Sequence, residues 1–86
     1  MKNFTYTITD PLGIHARPAG LLSKAAKAYS DTVITVEKNG SAVKASQLMK
    51  LMGLGVKQGD VITVTADGAS EDTAIAAMKE FFQNNL

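Results

Sequence analysis

The sequence contains no cysteine and no tryptophan, and only 6% of its 86 residues are aromatic. The absence of cysteine excludes a disulfide framework and thiolate metal sites. The chain has nine Lys and Arg residues and eight Asp and Glu residues, which gives a net charge of +1. A charge this small creates no broad positive electrostatic field that would attract nucleic acid or anionic lipid. No stretch approaches the ~20 apolar residues of a membrane span, and the N-terminus lacks a signal-peptide core. These absences predict a soluble cytoplasmic protein held together by packing alone.

With 45% hydrophobic and 20% charged residues, the sequence has the composition of an ordinary globular protein. The length of the chain predicts one domain over residues 1–86. Apolar residues at every second position predict strands, and apolar residues three and four apart predict helices. The expected strands cover residues 4–10, 33–38, 41–45 and 61–66, and the expected helices cover residues 16–29, 47–54 and a last segment that begins after residue 70. The predicted order is β-α-β-β-α-β-α.

Capping and turn residues support these boundaries. Asn39-Gly40 is the strongest short-range signal for a type I′ hairpin, because both residues accept a positive φ. Gly53 and Gly55 are expected to cap the short helix, and Ser70 the start of the last one. Strands with one apolar face and helices with one apolar stripe predict an α+β fold, an antiparallel sheet covered by helices on one side.

The only histidine, His15, and the only arginine, Arg17, lie two residues apart at the predicted start of the first helix. Pro18 fits the first turn, which places residue 15 at or beside the N-cap. A helix start offers free N–H groups and a partial positive charge, and a guanidinium adds donors suited to phosphate. A neutral imidazole can act as a nucleophile. The arrangement is compatible with phosphorylation of His15, stabilised by the Ala16 and Arg17 amides.

The residues alone leave a plainer interpretation open. A single histidine at a helix start is more often a surface residue or a cap than a nucleophile, and an arginine is usually a solvated side chain. The motif in which they stand is more informative. The run from Gly13 to Ala19, followed by Asn39-Gly40 and by residues 48–55 (LMKLMGLG), resembles the HPr family, the histidine-containing phosphocarriers of the bacterial phosphoenolpyruvate-dependent sugar phosphotransferase system.

The resemblance covers nearly the whole chain and implies an open-faced sandwich, with a four-stranded antiparallel sheet and three helices on one face. It implies that His15 accepts a phosphoryl group on Nδ1 from phosphorylated enzyme I and passes it to the A component of a sugar-specific enzyme II. Such a protein is a stoichiometric relay and not a turnover enzyme. No cofactor and no metal are implied, because enzyme I supplies both the energy and the phosphate. We expect a monomer, since the relay surface must stay free.

The resemblance also implies a docking patch around the histidine. Gly20 and Leu21 on the first helix and Leu48, Met49 and Met52 on the second match the family's apolar contact surface. A basic rim is expected from Lys24, Lys27 and Lys50. Methionine suits a surface that repacks against different partners. Spacing alone allows some of these residues to be core, and Leu51, Leu54 and one of the two methionines are expected to point inward.

The position of a regulatory serine is in doubt. Ser46 has the number of the serine that a kinase phosphorylates in many HPr proteins of Gram-positive bacteria. The Asn39-Gly40 and Leu54-Gly55 landmarks, however, lie one residue later than the family's usual spacing from the histidine, so the family's serine matches Gln47. Ser46 is then expected to be a helix N-cap.

The sequence leaves two alternative functions open. A regulatory or nitrogen-branch relative would use the same histidine but deliver phosphate to regulators. A small nucleic-acid-binding α/β module would use the free face of the sheet, although that face carries threonines rather than the stacking aromatics that such proteins use.

Overall fold

The computed structural model describes residues 1–86 and contains four strands and three helices. They follow one another as β1 (Lys2–Thr7), α1 (Ala16–Lys27), β2 (Thr32–Lys38), β3 (Ser41–Lys44), α2 (Leu48–Gly53), β4 (Val61–Gly68) and α3 (Glu71–Asn85). The predicted order of elements and the α+β class are confirmed. None of the three helices is both long and apolar enough to cross a membrane.

The four strands form one antiparallel sheet in the spatial order β1-β4-β2-β3. The inward face of its two central strands is mainly apolar, with Ile34 and Val36 on β2 and Ile62 and Val64 on β4, and Thr32 at the start of β2 is its buried polar residue. The helices cover this face and complete one hydrophobic core of 17 residues. Phe82 of α3 is the largest fully buried side chain. The layered arrangement leaves the other sheet face, which is rich in threonine, uncovered.

The hairpin between β2 and β3 has the predicted geometry. Asn39 and Gly40 have φ values of 51° and 85°, which are the positive values that a two-residue type I′ turn requires. The register that follows pairs Lys38 with Ser41. This local signal was therefore sufficient to place two strands.

Two predicted boundaries were too long. The first strand ends at Thr7, three residues before Asp10, because the N–H groups of Thr9 and Asp10 bond to the backbone oxygen of Leu86, at 2.6 and 2.9 Å, and not to a strand. The first helix ends at Lys27 although apolar spacing continues to Tyr29. Tyr29 still packs on the core, but its N–H bonds to the carbonyl three residues back, which closes the helix.

Two predicted caps differ from the structure, and a third is at its predicted position but makes no side-chain capping bond. Gly53 lies inside α2, Leu54 is the C-cap, and only Gly55 (φ 69°) takes the left-handed conformation that follows a helix. Ser70 occupies the N-cap position of α3 as predicted, but its hydroxyl donates to Asp31 instead of to the helix. Ser46 is not the N-cap of α2; that position belongs to Gln47.

Candidate functional site

His15 is the N-cap residue of α1, with an extended backbone at φ −105° and ψ −178°. Its side chain is 35% exposed and borders a surface cavity of about 310 Å³. Arg17, Asp10 and Asn84 are among the residues that line the same cavity. The imidazole is therefore held at the protein surface and is open to a visiting molecule.

The loop that carries His15 is fixed by a close backbone approach at Gly13. Gly13 has a φ of 66°, and a Cβ built on it would lie 2.2 Å from the carbonyl oxygen of Val56. Ile14 donates its N–H to that same oxygen at 3.1 Å and buries its side chain in the core. The close contact of Gly13, the Ile14 hydrogen bond and the buried Ile14 side chain thus hold the backbone directly before His15, which sets where the imidazole lies.

The start of α1 presents free hydrogen-bond donors. The N–H groups of Ala16 and Arg17 have no hydrogen-bond partner, and Pro18 has no N–H to offer. The first intrahelical bond runs from the Ala19 N–H to the His15 carbonyl, at 2.9 Å. Arg17 is exposed and takes no part in the five ion pairs of the chain. Two amides and a guanidinium are therefore available to an anion beside His15.

Sequence reasoning missed three residues around the cavity, Asp10, Asn84 and Asn85. Oδ2 of Asp10 lies 3.9 Å from Nε2 of His15, and Oδ1 accepts the N–H of Leu12 at 2.8 Å. The two asparagines come from the end of α3, far from His15 along the chain. The Asp-Pro-Leu-Gly turn signal could have indicated an Asx turn at Asp10, whereas no sequence signal places Asn84.

The side chains of the predicted docking patch are exposed. Leu21 is 46% exposed, whereas Gly20 is half-buried, with no atom of another element within 4 Å of a Cβ built on it. Leu48, Met49 and Met52 are exposed by 38%, 78% and 40%. The expectation that one methionine points inward is wrong, because Leu51 alone fills the buried row of this short helix. Leu54 is half-buried against the core.

The predicted basic rim is also present at the surface. Lys24, Lys27 and Lys50 are all exposed, and none of them takes part in an ion pair. Leu12, at the tip of the loop before His15, is 70% exposed and was not predicted as part of the patch. Of the predicted patch and rim, Leu21 lines the His15 cavity, and Met49 and Lys50 line a second surface cavity beside the β2–β3 hairpin.

The loop before α2 shows which residue, Ser46 or Gln47, begins the second helix. The backbone carbonyl of Ser46 accepts a hydrogen bond from the hydroxyl of Ser23 on α1, at 2.9 Å. Ser46 is half-buried, whereas Gln47 is exposed at the N-cap position and makes no side-chain capping bond. The structure thus places Gln47, and not Ser46, at the start of the second helix.

The two carboxyl groups with a lowered pKa, Asp60 and Glu71, take no part in the His15 cavity. The Lys38 ammonium, which bonds to Asp60 at 2.8 Å, holds the pKa of that carboxyl below its ordinary value, and the Lys57 N–H acts in the same direction. The pKa of Glu71 is lowered by a hydrogen bond from the N-terminal amine and by the Gly68 N–H. No group of three or more His, Cys, Asp or Glu side chains lies together in a way that could hold a metal ion.

Comparison with known proteins agrees with this geometry. The family described as "PTS HPr component phosphorylation site" matches residues 2–84. The chain belongs to the HPr family. The phosphocarrier protein HPr of Mycoplasma genitalium is 40% identical over 85 residues, which is 99% of this chain and 97% of that protein. The HPr-family function, a phosphocarrier of the phosphotransferase system, is therefore the function of this chain.

Solved HPr structures share the fold. A mycoplasma histidine-containing phosphocarrier protein superimposes with a TM-score of 0.92 at 37% identity, over 96% of this chain and 93% of the other. HPr-C-His from Thermoanaerobacter tengcongensis superimposes with a TM-score of 0.91 at 39% identity, over 98% and 93%. The four-stranded open sheet with three helices predicted from the HPr resemblance is confirmed.

Proposed function

We propose that His15 accepts the phosphoryl group from phosphorylated enzyme I and passes it to the A component of a sugar-specific enzyme II. One observation carries this assignment. The only histidine of the chain lies partly exposed at a helix N-cap, beside two unpartnered amides and an unpaired guanidinium. We further propose that residues 1–86 act as one domain in the cytoplasm.

The transfer follows from these groups. The lone pair of His15 Nδ1 attacks phosphorus, the bond from phosphorus to the donor breaks, and its electron pair leaves with the donor. No proton has to be removed from the attacking nitrogen, because the neutral imidazole already carries a free lone pair. The phosphoryl oxygens gain negative charge beside the Ala16 and Arg17 amides and the Arg17 side chain, all of which are donors. Delivery to the next protein reverses the same steps.

The exposed patch suits transfer between proteins. The apolar side chains of Leu21, Leu48, Met49 and Met52 are exposed on the same two helices that carry the unpaired lysines at positions 24, 27 and 50. Apolar centres with a charged rim are typical of surfaces that bind transiently. The lysines complement acidic partners and speed their encounter. We propose that enzyme I and the enzyme IIA component use this one surface in turn.

We propose that the chain works as a monomer, because a second copy seated on this patch would cover His15. The HPr of Thermoanaerobacter tengcongensis has also been solved as a dimer, at 39% identity and a TM-score of 0.76. Sedimentation at transfer-assay concentrations tests the proposal. A monomer mass is expected, and a dimer that still transfers phosphate would contradict it.

The central experiment combines the protein with enzyme I, magnesium and phosphoenolpyruvate, and measures mass. We expect an acid-labile gain of one phosphoryl group, lost in His15→Ala. Arg17→Ala is expected to slow the transfer and to leave the circular dichroism spectrum unchanged, since Arg17 is exposed. Labelling that persists in His15→Ala would remove the assignment. Transfer to purified sugar-specific IIA, compared with transfer to a regulatory protein, separates the sugar branch from a nitrogen-branch relative.

We propose that serine regulation is absent or weak. The N-cap position of α2, where the family's serine is expected, is occupied by Gln47, and the Ser46 carbonyl is bonded to Ser23. A phosphate on Ser46 would place about −1.5 to −2 charges inside the patch and oppose acidic partners. Incubation with an HPr kinase and ATP tests this proposal. No stoichiometric label is expected on Ser46, and rapid labelling there would overturn the argument.

A further inference from the structure

The carboxylate of Asp10 faces the ring of His15 on the side of Nε2. Its Oδ2 lies 3.9 Å from Nε2, and the two side chains are 25% and 35% exposed. This separation is longer than a hydrogen bond, but bonds at transfer sites are often long in the free protein and shorten in the complex. Asp10 is the only carboxylate in the cavity, whose other polar members are Arg17 and the two asparagines of α3.

The position of Asp10 is set by its backbone and by its second oxygen. Its N–H bonds to the backbone oxygen of Leu86 at 2.9 Å, and its carbonyl accepts the N–H of Gly13, also at 2.9 Å. Oδ1 accepts the N–H of Leu12 at 2.8 Å. One oxygen therefore closes an Asx turn, which fixes the side chain and leaves the other oxygen directed at His15.

From this division of the two oxygens we propose that Asp10 is a positioning residue, which holds the proton of neutral His15 on Nε2 and keeps the lone pair on Nδ1. A neutral imidazole carries one proton, and the hydrogen bond that one nitrogen makes determines which nitrogen carries it. An ionised carboxylate only accepts hydrogen bonds, so it selects the tautomer with Nε2–H. The inference rests on the proposed transfer through Nδ1.

The same carboxylate acts after transfer. When the bond from Nδ1 to phosphorus forms, the Nε2 proton stays in place and the ring becomes positively charged. Asp10 stabilises that charge from the face opposite to the phosphoryl group, so the dianion and the carboxylate do not compete for one position. When the phosphoryl group leaves for the next acceptor, the electron pair returns to Nδ1 and the ring is neutral again. Asp10 therefore assists both directions of the relay.

The substitution Asp10→Asn tests this role without removing the turn. The asparagine oxygen can still accept the Leu12 N–H, but its NH₂ group then faces Nε2 and donates to it. The preferred tautomer should therefore reverse toward Nδ1–H. We expect the Nε2–H fraction of His15 to fall, measured by two-bond ¹H–¹⁵N correlation at about pH 9, above the ordinary range of histidine titration. Phosphorylation by enzyme I should slow about two- to five-fold, the range of a partly exposed charge pair.

Asp67→Asn is the matched control. It removes the same charge from an exposed carboxylate near the end of β4. Asp67 pairs with Val33 at the start of β2 and lies at the end of the sheet where β1 begins, whereas Asp10 follows the other end of β1. The tautomer and the rate should stay at wild-type values. An unchanged Nε2–H fraction in Asp10→Asn would overturn the inference, and so would a changed fraction with an unchanged rate. Failure of the proposed function is a different result, because then the wild-type chain itself gains no phosphoryl group.

Discussion

Gly13→Ala should damage the fold and not only the transfer reaction. Gly13 has a φ of 66°, where an L-residue with a Cβ is strained, at a cost of roughly 1–2 kcal/mol. The added Cβ would lie 2.2 Å from the Val56 carbonyl oxygen and 2.7 Å from the Lys57 Cα, whereas ordinary contact begins at 3.4 Å. Both atoms belong to backbone, so no flexible side chain can move aside. The segment at Val56 has to shift.

The expected loss combines strain with the hydrogen bond that the shift breaks. Ile14 donates to the same Val56 oxygen at 3.1 Å, and a bond of this kind contributes about 0.5–1.5 kcal/mol. Displacement of the buried Ile14 side chain adds a packing loss of about 1 kcal/mol. The free energy of unfolding should therefore fall by about 2.5–4.5 kcal/mol, out of roughly 4–13 kcal/mol for a chain of this length. The midpoint of thermal unfolding should fall by about 10–35 °C.

Urea unfolding followed by circular dichroism measures this loss, and Gly20→Ala is the matched control. Gly20 lies inside α1 at an ordinary φ, and nothing lies within 4 Å of its Cβ position. Alanine there should stabilise the helix by about 0.5–1 kcal/mol. The same chemical change is thus expected to act in opposite directions at two positions. A Gly13→Ala protein within 1 kcal/mol of wild type would refute the close-approach argument.

Three further results are expected. Met49→Ala should change the free energy of unfolding by less than about 0.5 kcal/mol and weaken transfer from enzyme I, because Met49 is 78% exposed. Leu51→Ala, on the buried side of the same helix, should cost about 2–5 kcal/mol in urea unfolding; equal losses in the two variants would contradict their assignment to different faces. The lowered pKa of Asp60 contributes stability above its ordinary pKa of 3.8 that is lost as the pH falls through the lowered value. Asp60→Asn should therefore flatten acid unfolding below about pH 4, and a curve identical to wild type would refute the Lys38 pairing.

The features predicted correctly from the sequence are those that neighbouring residues determine. Asn39-Gly40 specifies its turn because both residues accept positive φ values. Pro18 fits only the first turn of a helix, which was enough to predict the N-cap at or beside residue 15. Asp10 and Asn84 could not be placed beside His15 in the same way. Their proximity depends on how α3 packs and on the bond from the Asp10 N–H to Leu86, and no local pattern encodes either.

The prediction that one of the two methionines points inward was wrong because α2 is too short to bury more than one row of side chains. Successive residues of a helix are about 100° apart, so Met49 lies about 160° from Leu51, almost opposite to it. Leu48 and Met52 lie near the boundary between the two faces, and they are exposed by 38% and 40%. A helix of six residues has room for one buried row, and Leu51 fills it. The apolar residues on the remaining faces stay at the surface, as the proposed docking patch requires.

The construction of the site follows from the need for a reversible phosphoryl bond. In the proposed relay, a phosphoryl group on His15 has to reach a second protein, so a cage of side chains would slow its release. Backbone amides and one exposed guanidinium would stabilise the charge without covering the ring. The rigidity of the site then has to come from the main chain. Its sources are the close backbone approach of Gly13 to Val56 and the hydrogen bond from the Asp10 N–H to the backbone oxygen of Leu86. Changes to side chains around His15 should consequently alter rates, while changes to these backbone anchors should reduce the stability of the whole fold.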